Sequence, residues 1–160
     1  MNLFDNNGAH FSECRKYRYF LWRIWDKEKP LVMFIGLNPS TANESTDDNT
    51  IKRVMGIAKN LGYGGIYMMN CFPFISTNPD DLKDFGNNAI NEHWLYINSK
   101  VCRDVVFAWG NFKIVSETLR DKELIAMFPN AFALKINKNG SPKHPLYCPL
   151  NSEFVKFTNK

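Results

Sequence analysis

The sequence predicts an α/β domain of three layers, with helices over both faces of a mainly parallel, four-stranded central sheet. Four short apolar runs, at 31–35, 66–69, 105–109 and 131–134, recur along the chain. Each has the length of a buried strand and falls short of an ordinary helix. The segments between them place apolar residues at helical spacing, and strands that alternate with helices build parallel sheets covered on both sides. The runs also stop in a telling way, the first in Gly36-Leu37-Asn38-Pro39-Ser40 and the second in Asn70. Parallel strands bring such ends to one edge, where ligands of open α/β sheets lie.

The elements follow in order. Residues 16–25 are aromatic-rich and alternate well enough for a strand, with Tyr17, Tyr19 and Leu21 facing one way. Residues 31–36 read as a central strand, and 40–50 as a polar loop. Asn49 or Thr50 then caps a helix whose apolar positions are Ile51, Val54, Met55, Ala58 and Leu61, ended by Gly62. Gly64-Gly65 leads into the strand 66–69, and Asn78-Pro79-Asp80-Asp81-Leu82 is a turn into a helical start. A helix from about 87 to 100 should turn Ala89, Ile90, Trp94 and Ile97 inward. The strand 105–109 is stopped by Gly110, and one helix of about 111–127 should carry Val115, Leu119 and Leu124. The last short strand leads to the loop Lys143-His144-Pro145-Leu146-Tyr147.

At 160 residues the chain is expected to form a single domain, 1–160. Apolar residues at 44% are enough for a substantial core, and no apolar run approaches a membrane span. The first seven residues have neither the basic start nor the apolar segment of a signal peptide. Cys14, Cys71, Cys102 and Cys148 form no Cys-x-x-Cys pair, which argues against a zinc or iron–sulfur site and suits reduced thiols. A cytoplasmic monomer without cofactor, metal or membrane partner is therefore expected. The net charge of +4 permits contact with a polyanion without requiring it. Arg15, Lys16, Arg18 and Arg23 interleave with Tyr17, Tyr19, Trp22 and Trp25, and Lys135, Lys138 and Lys143 surround His144. Basic residues mixed with aromatics favour nucleic acid or nucleotide ligands, although the first segment taken alone reads more readily as a basic amphipathic strand and helix with buried rings.

Four motifs stand in order: GLNPS at 36–40, YMMN at 67–70, VFAWG at 106–110 and HPLY at 144–147. This order resembles the uracil-DNA glycosylase superfamily, and the Asn in the first motif resembles its mismatch-specific branch. Over nearly the whole chain the sequence more closely resembles the DUF1643 group of small bacterial and phage proteins. The residues that carry this likeness are Tyr17-Arg18-Tyr19, 36–41, Asp47-Asp48-Asn49-Thr50, Asn70 and 140–147. Three positions depart from these patterns. Ser40 stands where the mismatch-specific branch has Gly, Leu146 where a phosphate-contacting Ser is usual, and Ile75 where Arg is expected in DUF1643 relatives.

The glycosylase resemblance implies a uracil-DNA glycosylase-like fold and hydrolysis of the N-glycosidic bond of a deaminated or modified base, as in DNA repair. Asn38 would orient the attacking water through its amide, and His144 would donate a hydrogen bond to a base carbonyl as charge develops there. Asp48, if it faces the pocket, is a better general base than Asn38. Alternatively, Asp47 and Asp48 are acids at a helix start, stabilised by its dipole. Asn70 would read the base edge and Phe72 or Phe74 would stack on it, with Gly36, Pro39 and Ser40 forming the wall. Lys143 and Arg18 would contact nucleic acid, while Leu146 and Tyr147 wedge into it. The alternative is a non-catalytic module, phage or defence-related, that binds nucleic acid or a nucleotide in the same pocket. Metal-dependent phosphoester hydrolysis needs more carboxylates than these.

Overall fold

A computed structural model of the chain describes residues 6–82 and 88–157. Strands β1 (Asn7–Phe11), β2 (Arg18–Ile24), β3 (Leu31–Gly36), β4 (Gly65–Asn70), β5 (Asp104–Phe107), β6 (Phe132–Ala133) and β7 (Val155–Lys156) join in one sheet. Their spatial order is β1-β2-β4-β3-β5-β6-β7. Helices α1 (Asn49–Asn60), α2 (Asn88–Ser99), α3 (Lys113–Glu117) and α4 (Arg120–Met127) complete the described elements. None of them is long and apolar enough to cross a membrane.

The sheet is mixed. β3 runs parallel to β4 and β5, and β5 to β6, whereas β1–β2, β2–β4 and β6–β7 are antiparallel. The expected mainly parallel, four-stranded sheet is therefore wrong, and with it the uracil-DNA glycosylase-like fold class. The expected strand at 16–25 forms as β2, but it joins the free side of β4 antiparallel and carries β1 with it, while β7 returns antiparallel to β6. A reading built from strand–helix alternation leaves out β1 and β7 and gives no direction for β2.

Alternate residues of the inner strands enter two cores. Ile51, Val54, Ile57 and Ala58 of α1 pack with Val32, Phe34, Ile66 and Met68. Leu95, Val115 and Leu124 pack with Met33, Ile35, Met69 and Phe107. This is the period of two that a strand buried on both faces requires.

β2 breaks that period. Phe11 lies opposite Arg18 but His10 lies opposite Phe20, so Tyr19 is the extra residue of a bulge. Tyr19 consequently shares a core with Phe20 while Leu21 enters the other one, against the expectation that Tyr17, Tyr19 and Leu21 share a face.

Three helix expectations also change. The N-cap of α1 is Asp48, whose carboxylate accepts from the Ile51 N–H at 2.9 Å, not Asn49 or Thr50. α2 buries Asn91, Leu95 and Asn98 and exposes Ala89, Ile90 and Ile97; its expected start at 87 lies outside the described residues. The single helix at 111–127 is two helices, broken at Leu119, which has φ 60° and is exposed. Thr118 Oγ1 binds the Ile114 carbonyl at 2.7 Å, and the turn sends Arg120 into the core, where its Nε donates to the Cys71 carbonyl at 2.9 Å.

Candidate functional site

The ends of β3 and β4 lie side by side, with Gly36 opposite Asn70 in the parallel ladder. Pairing continues beyond them, from Cys71 N to the Gly36 carbonyl at 2.8 Å and from Phe72 N to the Leu37 carbonyl at 3.0 Å. A cavity of about 210 Å³ opens over these ends. Arg18, Asn38, Asp48, Asn70 and His144 all line it, with Gly36, Ser40, Thr50, Phe112 and Leu146 among their neighbours.

Asn38 is held by its own loop. Its Nδ2 donates to the carbonyls of Pro39, Phe74 and Ser76 at 3.0, 3.4 and 2.9 Å. The amino group is thus engaged, and the carbonyl oxygen is what Asn38 has left to offer a water or ligand.

Asn70 is fixed from two sides. Its backbone carbonyl accepts from Asn91 Nδ2 at 2.9 Å, and its side-chain Oδ1 accepts from Arg18 Nη2 at 3.4 Å. A guanidinium only donates. It therefore keeps the oxygen of Asn70 toward itself and leaves Nδ2 on the other side. Nδ2 lies 3.1 Å from where a Cβ on Gly36 would stand, so a glycine at 36 leaves that amino group uncovered.

Arg18 is 3% exposed. The bulge at Tyr19 aims it to the α1 side of the sheet, where Nη1 donates to the Ala42 carbonyl at 3.1 Å. Its Nε has no partner among the described residues. Burial lowers its pKa to about 10, partly offset by the charge of Asp48, so the group stays cationic at neutral pH. Arg18 is a floor residue of the cavity and cannot serve as an exposed contact to nucleic acid.

The neighbouring acids part company. Asp47 pairs with Arg23 at 2.8 Å, and Arg23 also holds the Asn43 carbonyl at 2.6 Å, which staples the polar loop to β2. Asp48 caps α1 and lines the cavity. No three His, Cys, Asp or Glu side chains gather as metal ligands among the described residues.

His144 precedes a short 3₁₀ turn, Pro145–Tyr147, and caps it: its Nδ1 accepts from the Leu146 N–H at 3.2 Å. That bond places the ring proton on Nε2. Burial lowers the His144 pKa, against the opposing pull of Asp48, so the imidazole is neutral at neutral pH. The loop itself is pinned by Gly110 N to the Pro142 carbonyl at 2.9 Å and by Arg53 of α1 on the Cys148 carbonyl.

Other expected residues lie elsewhere. Phe72 is 1% exposed within a core, so it is no stacking face. Phe74 is half-buried edge-on to Tyr17, and its carbonyl serves Asn38. Pro39 is buried behind the wall. Lys143 and Tyr147 line a second hollow of about 550 Å³, whose wall also includes His144 and Leu146 of the cavity. The ring at the cavity is Phe112, 40% exposed. Its signal in the sequence is an aromatic two residues past the strand-ending Gly110. Asn91 and Arg120, which hold the carbonyls of Asn70 and Cys71, carry no local signal at all.

A family model described as "Protein of unknown function (DUF1643)" matches residues 18–146. No curated protein matches the chain, and no solved structure does. The matched segment begins at Arg18 and ends at Leu146, the first and last residues that line the cavity.

Proposed function

Since the chain belongs to the DUF1643 family, and the matched residues include every one that lines the cavity, we propose that the cavity is a nucleobase pocket. The protein then hydrolyses the N-glycosidic bond of a deaminated or modified base in nucleic acid or a nucleotide, acting as a cytoplasmic monomer. The carrying observation is His144, a neutral imidazole whose Nδ1 is committed to the Leu146 N–H. Its Nε2–H is a fixed donor, and cleavage leaves negative charge on the departing base. A donor already in place stabilises that charge without reorganising. Asp48 supplies a carboxylate to take a proton from water, and Asn38 a carbonyl oxygen to orient it.

A second reading has its own observation. Both water-handling residues also hold the fold together, Asp48 as the cap of α1 and Asn38 as a clasp on three carbonyls. That favours a non-catalytic module that binds nucleic acid or a nucleotide in the same pocket, in a phage or defence setting. Oligonucleotides bearing uracil, hypoxanthine or a hypermodified base, scored for abasic sites, separate the two. Release that is lost in His144→Ala and Asn38→Ala, with circular dichroism unchanged, supports hydrolysis. Binding without release across the panel selects the module, and absence of both removes the pocket reading.

A further inference from the structure

We propose that the hollow beside the base pocket is a subsite for the neighbouring nucleotide of a single strand, so that the protein engages single-stranded nucleic acid in preference to a duplex or a free nucleotide. The inference rests on the nucleobase reading above and adds what is attached to the base. The two cavities adjoin, sharing Phe112, His144 and Leu146 in their walls. Gly110, on the wall of the larger hollow, has φ 77°, and a Cβ there would stand 3.4 Å from both the His144 Cβ and the Phe112 ring that the two cavities share.

Size separates their occupants. The base pocket, about 210 Å³, is smaller than the roughly 300–1,000 Å³ of ordinary small-molecule sites and suits a lone ring. The hollow next to it, about 550 Å³, has room for a nucleotide.

Its chemistry fits one. Phe112 and Tyr147 are 40% and 76% exposed, and two amides, Asn111 and Asn137, line the hollow with them. Lys143 is the single charged group of the lining, and no acid opposes it. Exposed rings beside a cation are what a strand of unpaired bases recognises, by stacking on the ring faces with a phosphate near the charge. A duplex offers no free base faces and is held through many phosphates, about 6–10 in typical complexes. One lysine in the lining cannot provide that grip, and Arg18 is buried.

The test compares four probes by fluorescence-detected titration, in deoxyuridine and deoxyinosine versions: a short strand with one such nucleotide at its centre, the same strand in a duplex, the nucleoside monophosphate, and the free nucleoside. The expected order places the single strand at least about tenfold tighter than the duplex and the monophosphate, since each stacked base contributes about 5- to 150-fold. Tyr147→Ala should shrink that preference, and Lys143→Ala should flatten the salt dependence of strand binding by about one phosphate contact. Tyr147 is mostly exposed, so its loss does not threaten the fold. A monophosphate that binds as tightly as the strand overturns the subsite and leaves the base pocket standing. A duplex that binds tighter overturns it as well. No binding by any probe overturns both.

Discussion

Replacing Asn70 by Asp exchanges one amino group for an oxygen at the floor of the cavity, and the outcome depends on Arg18 beneath it. The guanidinium now has two neutral acceptors, the Ala42 carbonyl at 3.1 Å and Asn70 Oδ1 at 3.4 Å. Both bonds are already charge-assisted through the guanidinium, each with a net worth of about 1.5–3 kcal/mol, and a carboxylate adds an ion-pair attraction to one of them. Burying the new charge costs several kcal/mol against an ion-pair attraction of similar size, so Asn70→Asp should change stability little at pH 7. Asn70→Ala instead removes the acceptor and leaves a buried cation short of a partner, at about 1–3 kcal/mol. For a domain of this length each kcal/mol lowers Tm by about 2–4 °C. Ligand binding by the Asp variant should nevertheless be lost, because Nδ2 is gone. Thermal melts at pH 7, beside oligonucleotide titration, read both quantities. An Asp variant that melts lower than the Ala variant at pH 7, or binds like the parent protein, refutes the placement of Arg18 under Asn70.

Three further outcomes follow from the same site. Asp48→Ala removes the cap on Ile51 N and should cost about 1 kcal/mol, whereas Asp48→Asn keeps a capping oxygen and most of the stability. If base release occurs, both should slow it by about 10²–10⁴-fold, and full activity in Asp48→Asn rules out a general base there. Gly36→Ala sets a methyl 2.9 Å from Met68 Cε and 3.1 Å from Asn70 Nδ2. The flexible Met68 tip can yield, so ligand affinity should fall much more than Tm; equal affinity in this variant would show that nothing approaches Nδ2. The lowered pKa of His144 means that the unfolded chain binds its proton first as the pH falls. Stability and ligand binding should therefore be level above about pH 6.5 and decline below it. Burial also lowers the pKa of His10, so the His144→Asn variant, which retains a capping acceptor, isolates the share that belongs to His144. An acid limb that is identical in that variant assigns the effect to His10.

What could be read from the sequence was whatever a local pattern records. Residues 31–36 and 65–70 end abruptly in polar side chains, and that abruptness places Asn38 and Asn70 at strand ends. The fate of Arg18 and Arg23 was not readable. Both look like solvent-facing charges on an aromatic strand, and both are buried because the carbonyls of Ala42 and Asn43, some twenty residues away, receive them. The bulge at Tyr19 adds a residue that no alternation count anticipates, and it decides on which face Arg18 lies. On α2 the apolar Ile90 and Ile97 point outward while Asn91 goes in, because the carbonyl of Asn70 needs a donor that only the tertiary fold reveals. Leu119 fails for a similar reason: its left-handed turn serves Arg120, whose targets are the Cys71 carbonyl and Glu92.

The grip of α1 on the chain's later loop has a consequence for cooperativity. Asp48 stands at the start of this helix, Arg53 in its middle holds the Cys148 carbonyl, and Asn60 at its end holds the Leu150 carbonyl at 2.8 Å. The acid and the imidazole of the cavity thus ride on one mechanical unit, although Asp48 and His144 stand 96 positions apart in the chain. Regions joined in this way open together in native-state hydrogen exchange. The backbone amides of residues 146–148 should then share the protection of the middle turns of α1, far above that of a surface loop, and Arg53→Ala should lower the loop's protection while leaving the helix's intact.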